Sequence, residues 1–374
     1  FESGEELRGL LDTYLDDPAQ RNALAAQLRD VVLARHTYEH RAAEIISAVR
    51  DAINAPRVSI KIGVPSEAEA ETWGDTHFAA AFAKSLRRLG FRTTIDLLPD
   101  WDAMACQDVD IVVHIRGLSR YTPKVGHINV LWMISHPDDI TDAECELYDL
   151  VFVASEPYAR ELESRLSVPV HALLQATDPD VFFPDPDVLD SDRRGVLFIG
   201  NSRKQQRAGV VAAAESGLDF NLYGGDWDGL VSPEFVKGDY VPNHDVGALY
   251  SRAALVLSDH WPDMAEHGFI SNRIFDASAA GALIVSDPVA GLEDLFGELV
   301  PTFKGADELR SIADDVDARS DHYASIRRRA RDLVLQSHTF DDRARSFAGL
   351  VRPLLSHRPA TVAPVMTAVD GGST

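Results

Sequence analysis

The sequence predicts an α/β protein of two Rossmann-like, doubly wound lobes with a cleft between them, preceded by a helical segment. Three observations predict it. Short apolar runs alternate with amphipathic helical stretches over 57–174, and the same alternation restarts at Val196. An acidic, Pro-rich stretch over 178–192, without periodicity, separates the two series. The first 50 residues recur without a gap 302 positions later, with 15 of 50 positions identical. Phe1 maps to Phe303, Leu7-Arg8 to Leu309-Arg310, Arg29-Asp30 to Arg331-Asp332 and His36-Thr37 to His338-Thr339.

Residues 1–50 read as helices, because Leu7, Leu10, Leu11, Tyr14 and then Leu24, Leu28, Val31, Val32 fall at helical spacing. Asp16-Asp17-Pro18 breaks the two runs, and a third helix follows His36. In the first lobe, 58–63, 92–98, 111–115, 128–134, 150–154 and 170–174 are strands. Helices fall at 76–89, closed by Gly90, and from Glu156. In the second lobe the strands are 196–200, 220–223, 255–258 and 282–286. Its helices are 205–216, one ending near Tyr250, 272–280 closed by Gly281, then 289–296, 306–318, 322–336 and 340–355. Near-continuous apolar strands joined by helices require a parallel sheet covered on both faces. The domain borders follow: a helical segment 1–50, a first lobe 51–178, a linker 179–194, and a second lobe 195–340. A closing helix at 341–356 and a Pro-, Ala-, Thr- and Gly-rich tail at 357–374 complete the chain.

Composition narrows the function. A formal charge of −23 over 374 residues argues against nucleic acid and anionic membranes, while leaving room for a small anion held by local donors. No apolar run reaches the roughly 18 residues that span a bilayer, and no signal peptide is visible. Cys106 and Cys145 are too far apart in sequence for a disulfide framework or a metal knuckle, so a reducing, cytoplasmic setting is expected. The chain begins with Phe and with the closing piece of a repeat, so the expectation is a fragment of a longer tandem protein. On that expectation residues 1–50 cap the outside of the following unit, away from its cleft.

Two helix starts in the second lobe suit an anion. After 196–199 comes Gly200-Asn201-Ser202-Arg203-Lys204-Gln205-Gln206-Arg207. Gly lets a ligand approach the backbone, Ser202 can cap the helix, and Arg203, Lys204 and Arg207 add charge that suits a phosphate. The same residues also fit an ordinary capped helix with solvated basic side chains. The second start is Ser271-Asn272-Arg273, with Asp276 one turn inside a small-residue helix. Arg273 opposes the helix dipole there, and a bound diphosphate would explain it. Asp276 can accept from ribose hydroxyls, or be a plain surface carboxylate. Gly225 and Trp227, and Tyr240 and Val241, lie in loops that can hold a base; a turn with a core aromatic is the competing account.

In order along the chain stand Phe198-Ile199-Gly200-Asn201, Leu222-Tyr223-Gly224 with Trp227, Leu249-Tyr250 with Leu255-Val256-Leu257, and Asn272-Arg273-Ile274-Phe275-Asp276-Ala277 with Gly281. Together they resemble the nucleotide-sugar lobe of GT-B glycosyltransferases (glycosyl transferases group 1), especially the group similar to spore-maturation-protein glycosyltransferases. The resemblance covers 195–352. The first lobe looks like the partner domain, through Trp73-Gly74-Asp75-Thr76-His77-Phe78-Ala79, Arg116-Gly117-Leu118, Ser135-His136-Pro137 and Leu174-Gln175-Ala176-Thr177-Asp178. It implies a bacterial enzyme of glycan biosynthesis, with a nucleotide diphosphate-sugar on the second lobe and a saccharide or other hydroxyl acceptor on the first. Retaining relatives carry two glutamates spaced E-x7-E. Here Asp276 matches the second, at the ribose, and Gly268 stands where the first would be, which leaves the stereochemistry open. The sugar contact then falls to His267, Gly268 and Phe269.

In the first lobe Asp75, His77 and His136 sit at strand or helix ends, where one can serve as base toward an acceptor hydroxyl; Arg116 and Gln175 join them on the acceptor side. Each histidine equally fits a structural hydrogen bond. Asp108-Val109-Asp110, Asp178-Pro179-Asp180 and Asp185-Pro186-Asp187 match D-x-D but begin a strand or lie in the linker, so none is read as a metal site. His36 and His40 have metal-pair spacing, but the repeat places Asp342 opposite His40. The expected transfer therefore uses no metal and no cofactor. Two other readings remain: a non-catalytic saccharide-binding or scaffold unit, and a sugar-nucleotide epimerase of the same fold.

Overall fold

The structure, a computed structural model, describes residues 1–104 and 108–356. The readings of Cys106 and of the tail at 357–374 fall outside them. The chain divides into two compact units, the first covering Phe1–Ala55 and the second beginning at Pro56. The border lies later than the sequence suggested because the third helix keeps its apolar spacing through Ile53.

The first unit is three helices, α1 (Gly4–Asp16), α2 (Pro18–Arg35) and α3 (Tyr38–Asn54). Side chains of Ser3, Asp17 and Thr37 cap them by accepting from Glu6, Gln20 and His40 backbone N–H groups.

The second unit opens with β1 (Arg57–Lys61), α4 (Glu67–Ala70), α5 (Gly74–Arg88), β2 (Arg92–Asp96), β3 (Ile111–Arg116) and β4 (Ile128–Met133). It continues with α6 (Asp142–Cys145), β5 (Leu150–Val153), α7 (Glu156–Glu163) and β6 (Val170–Ala172). After the linker come β7 (Arg194–Ile199), α8 (Ala208–Glu215), β8 (Phe220–Tyr223), β9 (Val236–Gly238), α9 (Asn243–Arg252) and β10 (Ala253–Ser258). Then follow α10 (Pro262–His267), α11 (Asn272–Ala279), β11 (Ile284–Ser286), α12 (Leu292–Phe296), α13 (Ala306–Ala318), α14 (Ser320–Ser337) and α15 (Phe340–Ser356).

The strands form two sheets, ordered β2-β1-β3-β4-β5-β6 and β11-β10-β7-β8-β9, and every pairing is parallel. All residues of β3 and β4 are buried, His114, Arg116 and Asn129 among them, and the strands read as mainly apolar runs. The strand order reverses between β1 and β3 in one sheet and between β7 and β10 in the other. Ligands of doubly wound sheets bind outside the strand carboxyl ends at such reversals.

The last helix packs on the first lobe. Phe347 of α15 meets Phe82 of α5 edge-on at 5.4 Å, and Phe82 meets Trp132 of β4 at 4.9 Å. Arg343 fixes the crossing by donating to the Leu174 and Gln175 carbonyls at 2.7 and 3.0 Å. The repeat is kept in the helices: Gly4–Asp16, Pro18–Arg35 and Tyr38–Asn54 have the same lengths and register as α13, α14 and α15, 302 residues on. Arg41 contacts His36 Nδ1 at 2.7 Å, and Arg343 contacts His338 Nδ1 at 2.8 Å.

Candidate active site

The β7–α8 junction departs from the sequence reading. Ser202 was expected to cap a helix starting near 205, but the helix starts at Ala208, with Arg207 at the cap position. Arg203 and Lys204 take left-handed φ values of 52° and 59°, so a turn replaces the first helical residues. Ser202 accepts from Lys204 N–H at 2.9 Å and donates to the Asp226 carbonyl. Gly224 underlies this loop. A Cβ there would lie 2.2 Å from the Gly200 oxygen, and its φ of 134° already excludes most side chains. Gly224→Ala is expected to destabilise the fold by about 3 kcal/mol or more, read as a lower urea midpoint; an unchanged midpoint contradicts this packing.

A cavity of about 370 Å³ opens at the β7–β10 reversal, lined among others by Gly74, Asn201, Arg203, Arg207, Ser271 and Arg273. Arg273 lies 4.6 Å over the Phe198 ring and donates to the Ile199 carbonyl at 2.7 Å. Arg207 is buried against Asp259, with Nε to Oδ2 at 3.2 Å, and stacks 4.3 Å over Trp261. Burial lowers the Arg207 pKa, Asp259 opposes the shift, and Arg273 and Arg203 add to it. Asp259 is the one carboxylate among the lining residues, against three guanidinium groups. Such a cavity attracts an anion.

A neighbouring cavity of about 410 Å³ shares Gly74 with the first and is lined by Asp75, His77, Lys84, Gln175, Asp178, Asn243, Asn272 and Asp276, among others. Asp276 is buried, and its Oδ2 accepts from Asn272 Nδ2 at 2.6 Å. Burial raises its pKa well above the usual value, opposed by the Thr177 hydroxyl and Asn272. Asn272 also accepts from Ala176 N–H at 3.3 Å, tying the start of α11 to the first lobe. Lys84 pairs with Asp178 and Asp180, which gives that D-x-D stretch a structural partner. Asp75 is half-buried at the start of α5, close to where a Cβ on Gly117 would lie (3.3 Å) and so at the β1–β3 reversal. Burial raises its pKa, and the charge of Arg203 partly opposes this.

The other residues singled out from sequence sort plainly. His77 lines the larger cavity and donates from Nε2 to the Glu71 carbonyl (2.8 Å). His136, in a left-handed conformation (φ 51°), accepts from Arg203 Nη1 through Nε2 at 3.1 Å. Burial first, then Arg203, lowers its pKa. Its accepting nitrogen is thus occupied: it holds an arginine rather than presenting a free base. Arg116 is buried against Glu144, its Nε donating to Oε1 at 2.9 Å, and lines neither of the two cavities. Gln175 donates to the Ile134 carbonyl at 3.0 Å while lining the larger cavity.

Trp227 is a core side chain, edge-on to Phe198, with its Nε1 donating to the Gly200 carbonyl at 3.0 Å. Gly225 N–H donates to Asn201 Oδ1 at 2.8 Å and so orients that side chain. Tyr240 is exposed and reaches the Glu71 carbonyl at 3.0 Å; Val241 packs against the second-lobe core. Lys204 is exposed and outside both linings. Phe269 is fully buried, and the His267 ring lies tilted against Tyr158 at 4.5 Å and meets Asp138 at 3.1 Å. Gly268, at φ 77°, closes α10, and a Cβ there would lie 2.6 Å from the Ala290 oxygen. Backbone conformation and crowding therefore exclude a glutamate at 268, and 267–269 line neither large cavity. Sequence reading missed Asp259, His260 and Trp261, although they directly follow the strand 255–258, where a doubly wound lobe exposes its ligand edge.

Two parallel doubly wound lobes with a cavity at a reversal of strand order define an architecture of the GT-B kind. The chain belongs to the glycosyl transferase-like family, whose model matches residues 1–47 and 203–349. No match was found among curated protein sequences. Among solved structures, sucrose-phosphate synthase from Thermosynechococcus elongatus is similar with a TM-score of 0.63 and 12% identity, over 81% of this chain and 100% of that one. A glycosyltransferase from Rickettsia africae gives 0.57 and 12%, over 82% and 100%. Anabaena HepE in complex with UDP-glucose gives 0.54 and 12%, over 79% and 99%. These likenesses bear on the fold.

Proposed function

We propose that this protein transfers a sugar from a nucleotide diphosphate-sugar to a hydroxyl acceptor, without a metal ion. The arginine cavity carries the reading. Arg203, Arg207 and Arg273 stand where the leaving diphosphate gains charge, and fixed cations there stabilise the transition state without reorganisation. The nucleoside occupies the adjoining cavity, with Asp276 and Asn243 toward the ribose and base. Asp75, beside Gly74 at the junction of the two cavities, takes the proton of the acceptor hydroxyl. Its desolvated carboxylate is a stronger base than a solvated one. Displacement at the anomeric carbon then forms the new glycosidic bond, breaks the bond to the diphosphate, and passes one proton to Asp75.

The likeness to Anabaena HepE, solved in complex with UDP-glucose, supports this reading. Among the described residues no helix is long and apolar enough to cross a membrane, and we infer a cytoplasmic, bacterial enzyme of glycan assembly. The motifs at Gly200 and Asn272 favour the group similar to spore-maturation-protein glycosyltransferases. The same family model matches residues 1–47, and their helices keep the register of 303–352; we take them as the closing helices of another such unit in a tandem protein.

A thermal-shift screen against nucleoside diphosphates and nucleotide sugars tests the function. A ligand at about 100 times its Kd adds roughly 2.7 kcal/mol of stability, a rise of a few degrees. Slow donor hydrolysis should accompany binding and persist in a metal chelator. No shift with any donor contradicts the proposal, and loss of turnover on chelation contradicts its metal-free form.

A further inference from the structure

One buried histidine outside the proposed chemistry is wired into the anion-binding helix start. His260 follows β10, and its side chain has no exposed surface. Asp287, just after β11, grips it twice: Oδ1 lies 2.6 Å from His260 Nδ1, and Oδ2 accepts the His260 backbone N–H at 3.1 Å. The other ring nitrogen, Nε2, accepts the backbone N–H of Ser271 at 2.9 Å. A backbone N–H can only donate, so Nε2 carries no proton and the ring is neutral with its proton on Nδ1. Ser271 is the N-cap of α11, its hydroxyl accepts from Arg273 N–H at 3.4 Å, and both residues line the arginine cavity.

We propose that the Asp287–His260 pair positions Ser271 and Arg273 to receive the donor diphosphate. His260 is a positioning residue: it touches the helix start and acts through it. The chain of contacts runs from the end of β11, through the loop after β10, to the cap of α11, and so locks the three segments that border the cavity. Asp287 selects the tautomer, and that tautomer supplies the acceptor for the partly buried Ser271 N–H. The proposal rests on the nucleotide-sugar reading above.

Two substitutions divide the relay. In His260→Asn the amide nitrogen replaces Nδ1 toward Asp287, but nothing accepts from Ser271. In His260→Gln the amide oxygen reaches the place of Nε2 and can still accept. Calorimetry with UDP, GDP, ADP, CDP and dTDP first finds the nucleoside diphosphate that the unaltered protein binds; the matching nucleoside serves as the control. For H260N, affinity for that diphosphate should fall about tenfold or more, the effect of one buried donor left unpaired, while affinity for the nucleoside stays within about twofold. H260Q should recover most of the loss. If H260N does not fold, Asp287→Asn replaces it, because an amide donor there reverses the tautomer and removes the same acceptor. Diphosphate affinity unchanged in the variant that folds overturns the inference. So does an equal loss of diphosphate and nucleoside binding with a lowered melting temperature, which marks a merely structural role. An unaltered protein that binds no nucleoside diphosphate overturns the functional proposal itself, and this inference with it.

Discussion

Arg273→Ala is expected to abolish measurable nucleoside diphosphate binding while the protein stays folded. The side chain lies at the first turn of α11, over Phe198 and against the Ile199 carbonyl. A cation at a helix start is unfavourable unless something answers its charge, and a diphosphate at the arginine cavity does. Losing a charge-assisted contact of this kind costs about 2–3 kcal/mol, near a hundredfold in affinity. The truncation uncovers one face of Phe198 and removes the contacts to the Ile199 carbonyl and the Tyr250 hydroxyl, all at the cavity wall, so the melting temperature should move by only a few degrees. Calorimetry that returns the original affinity removes Arg273 from the site.

Asp75→Asn is expected to lower kcat by about 10²–10⁴, the usual contribution of a positioned general base, with donor affinity changed only a few-fold. The pH profile gives the same residue a second test. Its folded-state pKa is raised by burial, so the acid form persists to a higher pH than for a solvated aspartate. A base must be deprotonated, so turnover should fall as pH drops through this raised value, and the D75N enzyme should lose that acid limb. The shift also has a stability consequence. A carboxyl whose pKa is higher in the folded state binds protons more tightly there, so this group opposes folding above its folded-state pKa, and D75N should be slightly more stable at neutral pH. A D75N protein with full turnover and an unchanged acid limb assigns the base elsewhere, with His77 the next residue on the same cavity wall.

The architecture was legible because parallel strands buried on both faces are mainly apolar, as β3 and β4 are apart from His114, Arg116 and Asn129, and because the linker interrupts the pattern. The packing of α15 on the first lobe rests on partners distant in sequence, Phe82 for Phe347 and the Leu174 and Gln175 carbonyls for Arg343, so helical spacing alone does not give it. What escaped were features set by tertiary contact. Trp227 was expected near a base, yet its indole N–H is taken by Gly200 and its ring by the core. Ser202 has the composition of a cap, yet two consecutive left-handed residues after it displace the helix start. His136 and Arg116 sit at strand ends, where chemistry is expected, but their polar atoms are committed to Arg203 and Glu144. Position 268 departs from the two-glutamate pattern because a glycine conformation closes α10 there. Asp276, Arg273, Asp75 and Gln175 do come together around adjoining cavities, since each lies just beyond a strand or in the first turns of a helix.

The most direct measurement is a crystal structure of the protein with its bound nucleoside diphosphate. The diphosphate should lie within hydrogen-bond reach of Arg273 and one or both of Arg203 and Arg207, with the ribose toward Asp276. A nucleotide found instead away from these arginines, or with its diphosphate directed to Asp178 and its base in the arginine cavity, contradicts the account.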